Sequence, residues 1–171
     1  VSTQSTGKQV MKTLVLLFHP NIETSSRNKT ILKHLESQQN VTIRDISKTF
    51  KTGSEQEIQQ EQQAMIEADR IIFMYPVYWF SVPGHAKLYI DQVFLPGFAY
   101  SIGQNPPYGK LKDKKFKVIM TVGATKADYP EERVLSDMGK EIAAYTGMKI
   151  EDAFVFYEDD KNDKVNDLKF G

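Results

Sequence analysis

Three stretches that each follow a short apolar run contain the residue types that hold small ligands. The first, His19–Asn28, has Ser25, Ser26 and Asn28 at the start of a helical pattern. Hydroxyl, amide and backbone N–H donors at a helix N-terminus, aided by the helix dipole, favour a phosphate group. Ordinary N-capping explains the same residues and is the more common reason for them. This loop by itself therefore leaves both interpretations open.

The second stretch, Tyr75–Phe94, holds an aromatic cluster, Tyr78–Phe80, between Pro76 and Pro83 and then changes to a helical pattern. The prolines keep the backbone out of a helix, so its polar groups can meet the edge of a planar heterocycle while the rings pack against it. Packing in the core, or at an oligomer interface, would also explain the aromatic residues. The chain's single tryptophan lies in this cluster.

The third stretch, Thr121–Ala124, closes another apolar run, and Gly123 would let the backbone approach a ligand closely. Tyr129 follows and could place a phenol at the edge of the ligand, although covering the next helix explains it equally well. The chain has neither a GxGxxG nor a Walker A sequence. A dinucleotide fingerprint of the Rossmann type and a P-loop are therefore excluded.

Five short apolar runs alternate with helical patterns along the chain. Such alternation predicts a single α/β domain, with a doubly wound five-stranded parallel sheet and helices on both faces. For the strand order 2-1-3-4-5, ligands bind at the switch point, between the loops after the first and third strands. The predicted strands are Leu14–Phe18, Val41–Ile43, Ile71–Met74, Lys117–Val122 and Ala153–Tyr157. The residues that should line the last long helix are Val134, Leu135, Met138 and Ile142.

The rest of the chain is expected to lie in loops and ends. Residues 1–10 are polar and are interpreted as an expression remnant or disordered leader, with one domain over residues 11–171. Leu95–Leu111 has several glycines and prolines and is expected to be an irregular, functional excursion. The charged segment from Glu158 to Gly171 is expected to be a solvated tail.

Composition excludes several classes of function. The 22 Lys and Arg residues balance the 22 Asp and Glu residues, and no basic stripe suggests nucleic-acid binding. The absence of cysteine excludes disulfides and thiolate chemistry, and the three histidines lack metal-ligand spacing, so no metal site is expected. No apolar run is long enough to span a bilayer. The default expectation is a soluble cytoplasmic protein without direct membrane insertion.

The same three stretches resemble the flavodoxin-like NAD(P)H:quinone oxidoreductases. The resemblance is to the small bacterial members, close to the ancillary oxidoreductases of potassium-efflux systems and to general stress proteins. It rests on LLFHPNIETSSRNK, FMYPVYWFSVPGHAKLYIDQVFLPGFAY and TVGATKADY, and runs from Met11 to about Tyr157. Trp79, Pro83, Lys87, Asp91 and Gly97–Tyr100 fall where the family's middle motif has them.

The resemblance implies a flavin site, with FMN favoured and FAD open. Its phosphate end would be held by His19, Ser25 and Asn28. The isoalloxazine ring would be bordered by Pro76, Val77, Tyr78, Trp79 and Phe80, and its pyrimidine edge by Thr121, Val122, Gly123 and Ala124. Tyr129 would be the catalytic hydrogen-bond donor. Two departures stand out: Ala124 replaces a usual glycine, and the histidine that some members have after the tyrosine is missing.

The implied activity is hydride transfer from NAD(P)H to the flavin, followed by two-electron reduction of a quinone or similar acceptor in a ping-pong cycle. The implied assembly is a homodimer, with Leu95–Leu111 and the aromatic residues near Tyr100 and Tyr108 at the contact. One alternative is a flavodoxin-type electron carrier, against which the balanced charge argues. Another is a regulatory ancillary subunit of a potassium-efflux transporter.

Overall fold

A computed structural model describes residues 10–134 and 137–170, with residue 137 described by its backbone alone. The predicted leader, apart from an exposed Val10, and the predicted buried position Leu135 lie outside the described residues. Within the described part, six parallel strands form one sheet: β1 Thr13–Leu17, β2 Val41–Asp45, β3 Arg70–Pro76, β4 Lys115–Thr121, β5 Lys149–Ile150 and β6 Phe154–Phe156.

The sheet has the predicted order, β2-β1-β3-β4-β5, with β6 as a further strand beside β4. Strand β1, which lies between β2 and β3, is buried along its whole length. Leu14 and Leu16 pack into one core while Val15 and Leu17 pack into the other. Strands covered on both faces have no solvent side, which is why they appear as unbroken apolar runs in the sequence.

Helices cover both faces of the sheet. They are α1 Ser26–Glu36, α2 Ile46–Thr49, α3 Glu55–Glu67, α4 Gly84–Val93, α5 Glu131–Val134 and α6 Asp137–Thr146. On one face α1 buries Ile31 and Leu35. On the other face α3, α4 and α6 contribute Met65, Tyr89 and Ala143 to the larger core. The predicted doubly wound arrangement is confirmed.

The C-terminal part contains one strand that was not predicted, and one expectation about it is wrong. The single predicted strand Ala153–Tyr157 is preceded by a separate two-residue strand, β5, because the chain pairs with β4, leaves it, and returns. The end of the chain is not a solvated tail. A 3-10 helix, Asn162–Asp167, buries Val165, and the next residue, Leu168, is buried as well. Both side chains pack in the same core as α1.

The connection after α4 has no helix or extended strand, as its glycines and prolines predict. Isolated bridges join Tyr100 to Pro96 and to Tyr108, so the excursion folds back on itself. Ile102 lies at its tip with 78% of its surface exposed. No helix in the described ranges is both long and apolar enough to cross a lipid bilayer.

A buried ionic network attaches α3 and α4 to the sheet. Arg44 donates to both carboxylate oxygens of Glu61, over 3.0 and 2.7 Å, and the Tyr89 hydroxyl donates to Glu61 over 3.1 Å. Glu61 is fully buried. Bonding to Glu61 raises the pKa of Arg44, and burial raises the pKa of Tyr89 well above its ordinary value. The network links β2 to the helix that follows the Tyr75–Pro83 loop.

We expect Arg44→Met to lower the free energy of unfolding by about 3 kcal/mol, because it leaves the Glu61 carboxylate buried without a cation. This loss in the free energy of unfolding is at the low end for buried ion pairs, because 25% of the Arg44 side chain is exposed. Lys87→Met is the matched control. It breaks the Lys87–Asp91 pair, whose side chains are 60% and 56% exposed, and should cost at most about 0.5 kcal/mol. Urea denaturation measures both, and equal losses would contradict the assignment.

Candidate functional site

The loops after β1, β3 and β4 meet in one cleft at the carboxyl edge of the sheet. Strand β1 pairs with β2 on one side and β3 on the other, which places the switch in strand order beside this cleft. The cleft has a volume of about 460 Å³ and is lined by His19, Thr24, Ser25, Ser26, Arg27, Asn28, Pro76, Val77, Tyr78, Thr121, Val122 and Gly123. The predicted crevice is therefore present, with all three loops around it.

His19 presents a hydrogen-bond donor to the cleft. The Asn21 backbone N–H donates to its Nδ1 over 3.1 Å, so the proton of the neutral ring is on Nε2. Burial lowers the pKa of His19 below its ordinary value, and the ring is neutral at pH 7. Within the described part of the chain, no group accepts a hydrogen bond from Nε2. That N–H group is available to a ligand.

Ser25 is the N-cap of α1, so the capping interpretation of this residue is correct. Its Oγ accepts from the Asn28 backbone N–H over 3.3 Å and from Asn28 Nδ2 over 2.8 Å. Both bonds use the oxygen as acceptor, and the Ser25 O–H group is left to donate. Capping and ligand binding are compatible at this residue.

Asn28 joins the first loop to the third. The residue is 2% exposed, and its Nδ2 donates to Thr121 Oγ1 over 3.1 Å. The carbonyl of Thr121 accepts from the Val77 N–H over 2.9 Å, which joins the second loop to the same residue. Asn28 therefore contributes to the site mainly by holding loops together.

A tight turn forms the tip of the second loop. The backbone groups of Tyr78 and Ser81 bond to each other over 2.9 and 3.1 Å, and the two residues between them, Trp79 and Phe80, have φ values of +46° and +67°. Two positive φ values define a type I′ turn, which usually contains Asn and Gly. Aromatic residues adopt this left-handed conformation only at a cost of about 1 kcal/mol or more each.

The turn directs its aromatic side chains away from the cleft. Trp79 is 92% exposed, and neither Trp79 nor Phe80 is among the lining residues. The Phe80 ring packs edge-on against Tyr129, with 5.5 Å between ring centroids. In the described chain the backbone N–H groups of Trp79 and Phe80 have no acceptor, whereas those of Val77 and Tyr78 are used internally. This turn offers a ligand its amides rather than the tryptophan ring.

The third loop, like the second, has backbone N–H groups without an acceptor among the described residues. The Val122 N–H donates to the Phe156 carbonyl over 2.9 Å, while the N–H groups of Gly123 and Ala124 have no acceptor among the described residues. A Cβ atom added to Gly123 would meet no protein atom within 4 Å. Packing within the protein therefore does not require glycine here, and the space beside it is open to a ligand. Ala124 is half-buried, and its carbonyl accepts from Glu158.

Tyr129 does not line the cleft directly. Its side chain is largely buried, and its hydroxyl donates to the Arg133 carbonyl over 2.8 Å. The Arg133 guanidinium lies 5.3 Å from the centre of the ring. The predicted role as a donor to a substrate requires the hydroxyl to exchange this internal acceptor for the substrate oxygen.

Arg27 is a further residue of the cleft, which was not predicted from the sequence. Its Nη1 donates to the Val122 carbonyl over 2.9 Å, so the side chain bridges the first and third loops across the cleft. A signal was present, because a cation in the first turn of a helix lies at the unfavourable end of the helix dipole. Such a residue is more easily explained when an anion binds nearby.

Comparison with known proteins agrees with this geometry. Residues 11–169 match the family described as having a flavodoxin-like fold. YrkL, an uncharacterised NAD(P)H oxidoreductase of Bacillus subtilis, is 32% identical over 154 residues, covering 86% of this chain and 86% of that protein. General stress protein 14 of the same bacterium is also 32% identical over 154 residues, covering 86% and 85% of the two chains.

A solved structure shows the same architecture with a flavin. General stress protein 14 from Treponema denticola, determined in complex with FMN, superposes with a TM-score of 0.76 and is 25% identical. The match covers 91% of this chain and 94% of that one. The family match spans nearly the whole chain and the relatives agree with it. This chain belongs to the flavodoxin-like family of NAD(P)H oxidoreductases.

Proposed function

We propose that this protein is a flavin-dependent oxidoreductase that accepts a hydride from NAD(P)H and reduces a quinone or a similar acceptor. The observation that carries the proposal is the cleft itself, where His19, Ser25 and Gly123 present donors that have no acceptor among the described residues, around about 460 Å³ of space. That volume is within the range of about 300–1,000 Å³ typical of small-molecule sites. The FMN complex of a relative with the same fold supports a flavin as the occupant.

The donors of the cleft fit an FMN molecule. His19 Nε2–H and the Ser25 hydroxyl would bind its phosphate end, with Asn28 holding the loop in place. The free amides of Trp79 and Phe80 would meet one edge of the ring, and those of Gly123 and Ala124 the pyrimidine edge. FAD remains an alternative at the same loops. When bound, the flavin supplies the chemistry of hydride acceptance and two-electron transfer.

The protein's contribution is to orient the cofactor and to stabilise negative charge. Backbone N–H groups that are fixed in advance stabilise an anionic ring without reorganising during the reaction. The turn, closed by the bonds between Tyr78 and Ser81, fixes the backbone of Trp79 and Phe80, whose amides have no acceptor among the described residues. The Tyr129 hydroxyl is the proposed donor to the oxygen of the acceptor, after exchange from the Arg133 carbonyl. Donor and acceptor would occupy the same pocket in turn, giving ping-pong kinetics.

Purified protein should contain or bind a flavin and should oxidise NADH or NADPH continuously when a quinone is present. Initial rates at several quinone concentrations should give parallel double-reciprocal lines, as a ping-pong cycle requires. Released cofactor identified by mass distinguishes FMN from FAD. Bound flavin without NAD(P)H turnover would instead favour an electron carrier, and the balanced charge of the chain argues against that alternative.

We also propose a homodimer in which the excursion after α4 forms part of the contact. Ile102 is 78% exposed at its tip, and Tyr100 packs against Tyr145, whose side chain is 53% exposed. These apolar surfaces lie close together on a chain with no net charge, which favours self-association. A regulatory role with a transporter has no structural support of this kind and would be tested by co-purification.

Ile102→Glu should shift the protein from dimer to monomer, because a carboxylate cannot be buried at the contact without a partner. Light scattering coupled to size exclusion measures the assembly. Ile150→Glu is the control, since Ile150 is 50% exposed on the edge strand β5 and lies outside the excursion. A wild-type protein that is monomeric at micromolar concentration would contradict the proposed dimer.

Two histidines, His19 in the cleft and His85 outside it, should make folding stability depend on pH. Burial lowers the pKa of both His19 and His85, and His85 is further lowered by the nearby His19 and raised by Asp45. Below their ordinary pKa of about 6.5 the unfolded chain takes up protons that the folded chain resists. The contribution of these two histidines to folding stability should therefore be fully present above pH 6.5 and should be lost as the pH falls below it.

We expect the thermal midpoint to decrease between pH 7.5 and pH 5.5, and the decrease to be smaller in His85→Gln. His85 Nε2 is buried without a hydrogen-bond partner among the described residues, so neutral glutamine removes a titrating group without breaking a bond. Scanning calorimetry at each pH provides the comparison. A variant with the wild-type pH dependence would show that His85 does not contribute.

A further inference from the structure

Arg27 is held in the cleft and has no charged partner in the part of the chain that the structure describes. Its Nη1 donates to the Val122 carbonyl, and the side chain is half-buried among the lining residues. A guanidinium has five N–H donors, and this bond uses one of them. Among the residues that the structure describes, no carboxylate forms an ion pair with Arg27. Most of its binding capacity is therefore free.

The position of Arg27 on α1 is electrostatically unfavourable. It is the second residue of the helix, and the first turn of α1 contains no acidic residue. Helix α3 shows the usual arrangement, with Glu55 and Glu57 in its first turn. A cation beside the positive end of a helix dipole is repelled by it, by a few tenths of a kcal/mol or more. An anion bound between Arg27 and the N-terminus of α1 would be attracted by both of these positive groups.

A second observation at the same place indicates an anion. His19 is 6% exposed and lines the cleft, and its Nε2–H has no acceptor in the described part of the chain. The Ser25 hydroxyl proton is also unused. Arg27, His19 and Ser25 thus offer only donors to the space they share. Donors without acceptors suit a phosphate group, which accepts hydrogen bonds at several oxygens.

We propose that Arg27 is a specificity-determining residue of the cleft, which binds the phosphate of the flavin nucleotide and makes the site prefer phosphorylated flavin to riboflavin. The inference rests on the proposed function, since it assumes that a flavin occupies the cleft. The bond from Nη1 to the Val122 carbonyl holds the guanidinium in place, so little side-chain freedom is lost on binding. The fork geometry of the remaining N–H groups matches a phosphate in two-point contact.

The test compares ligands that differ only in the phosphate. Apo protein is titrated with FMN and with riboflavin, following the flavin fluorescence, in the wild type and in Arg27→Gln and Arg27→Met. We expect FMN binding to weaken by about tenfold or more in both variants, while riboflavin binding changes by less than about twofold. Arg27→Lys, which keeps the charge but not the fork, should lie between the wild type and the neutral variants.

Lys29→Gln is the matched control. It removes one positive charge from the same turn of α1, but Lys29 pairs with Glu23 over 3.5 Å and does not line the cleft. Its FMN affinity should stay within about twofold of the wild-type value. FAD is titrated in parallel. An equal loss for FAD assigns the contact to the phosphate that FMN and FAD share, and a loss for FMN alone assigns it to the terminal dianion of FMN.

Equal losses for FMN and riboflavin in Arg27→Gln would overturn the inference, because they would show that Arg27 acts only by holding the Val122 loop. Unchanged FMN affinity would overturn it as well. Thermal unfolding of each variant verifies that the fold is retained. A wild-type protein that binds neither flavin would refute the proposed function itself, an outcome distinct from a wild type that binds both equally.

Discussion

The cleft depends on the hydrogen bonds that converge on Thr121. Its side-chain hydroxyl accepts from Asn28 at the start of α1, and its carbonyl accepts from Val77 at the end of β3. Three loops that are far apart in sequence are thereby fixed at one residue, which is 6% exposed. Water competes poorly for bonds at such a buried position, so the loops keep their relative places. The spacing of every donor around the cleft follows from this junction.

The second loop shows how strain and binding are related. Trp79 and Phe80 occupy a turn that suits glycine or asparagine, and the conformation costs free energy in the absence of a ligand. Among the described residues the amides of Trp79 and Phe80 have no acceptor, and neither do those of Gly123 and Ala124 in the third loop. Amides held in this way interact with a developing negative charge more strongly than flexible side chains do. The exposed tryptophan ring is then a consequence of the turn geometry.

The charge balance of the whole chain conceals a local imbalance at the cleft. Equal numbers of acidic and basic residues give no net charge, which fits an enzyme that meets small substrates better than a carrier that steers towards protein partners. At the cleft, however, no carboxylate among the described residues pairs with Arg27, and His19 offers a further donor. The buried carboxylate of Glu61 is neutralised by Arg44 of β2, and neither residue lines the cleft. Arg44 and Glu61 therefore form a charge pair with a structural role, whereas the guanidinium of Arg27 is available to a ligand.

The resemblance to a known family supplied the strand order of the sheet. The sequence by itself determined the alternation of strands and helices and the three loops that form the cleft. These follow from apolar periodicity and from the connection rules of parallel sheets, which act locally or along the chain. Only the tertiary structure decided which groups are available to a ligand. The direction of the Trp79 ring, the internal bond of the Tyr129 hydroxyl and the bridge from Arg27 to Val122 all depend on contacts between distant segments. The burial of Leu168 was not predicted for the same reason. A single leucine in a charged segment shows no apolar pattern, and only its packing against α1 makes it part of the core.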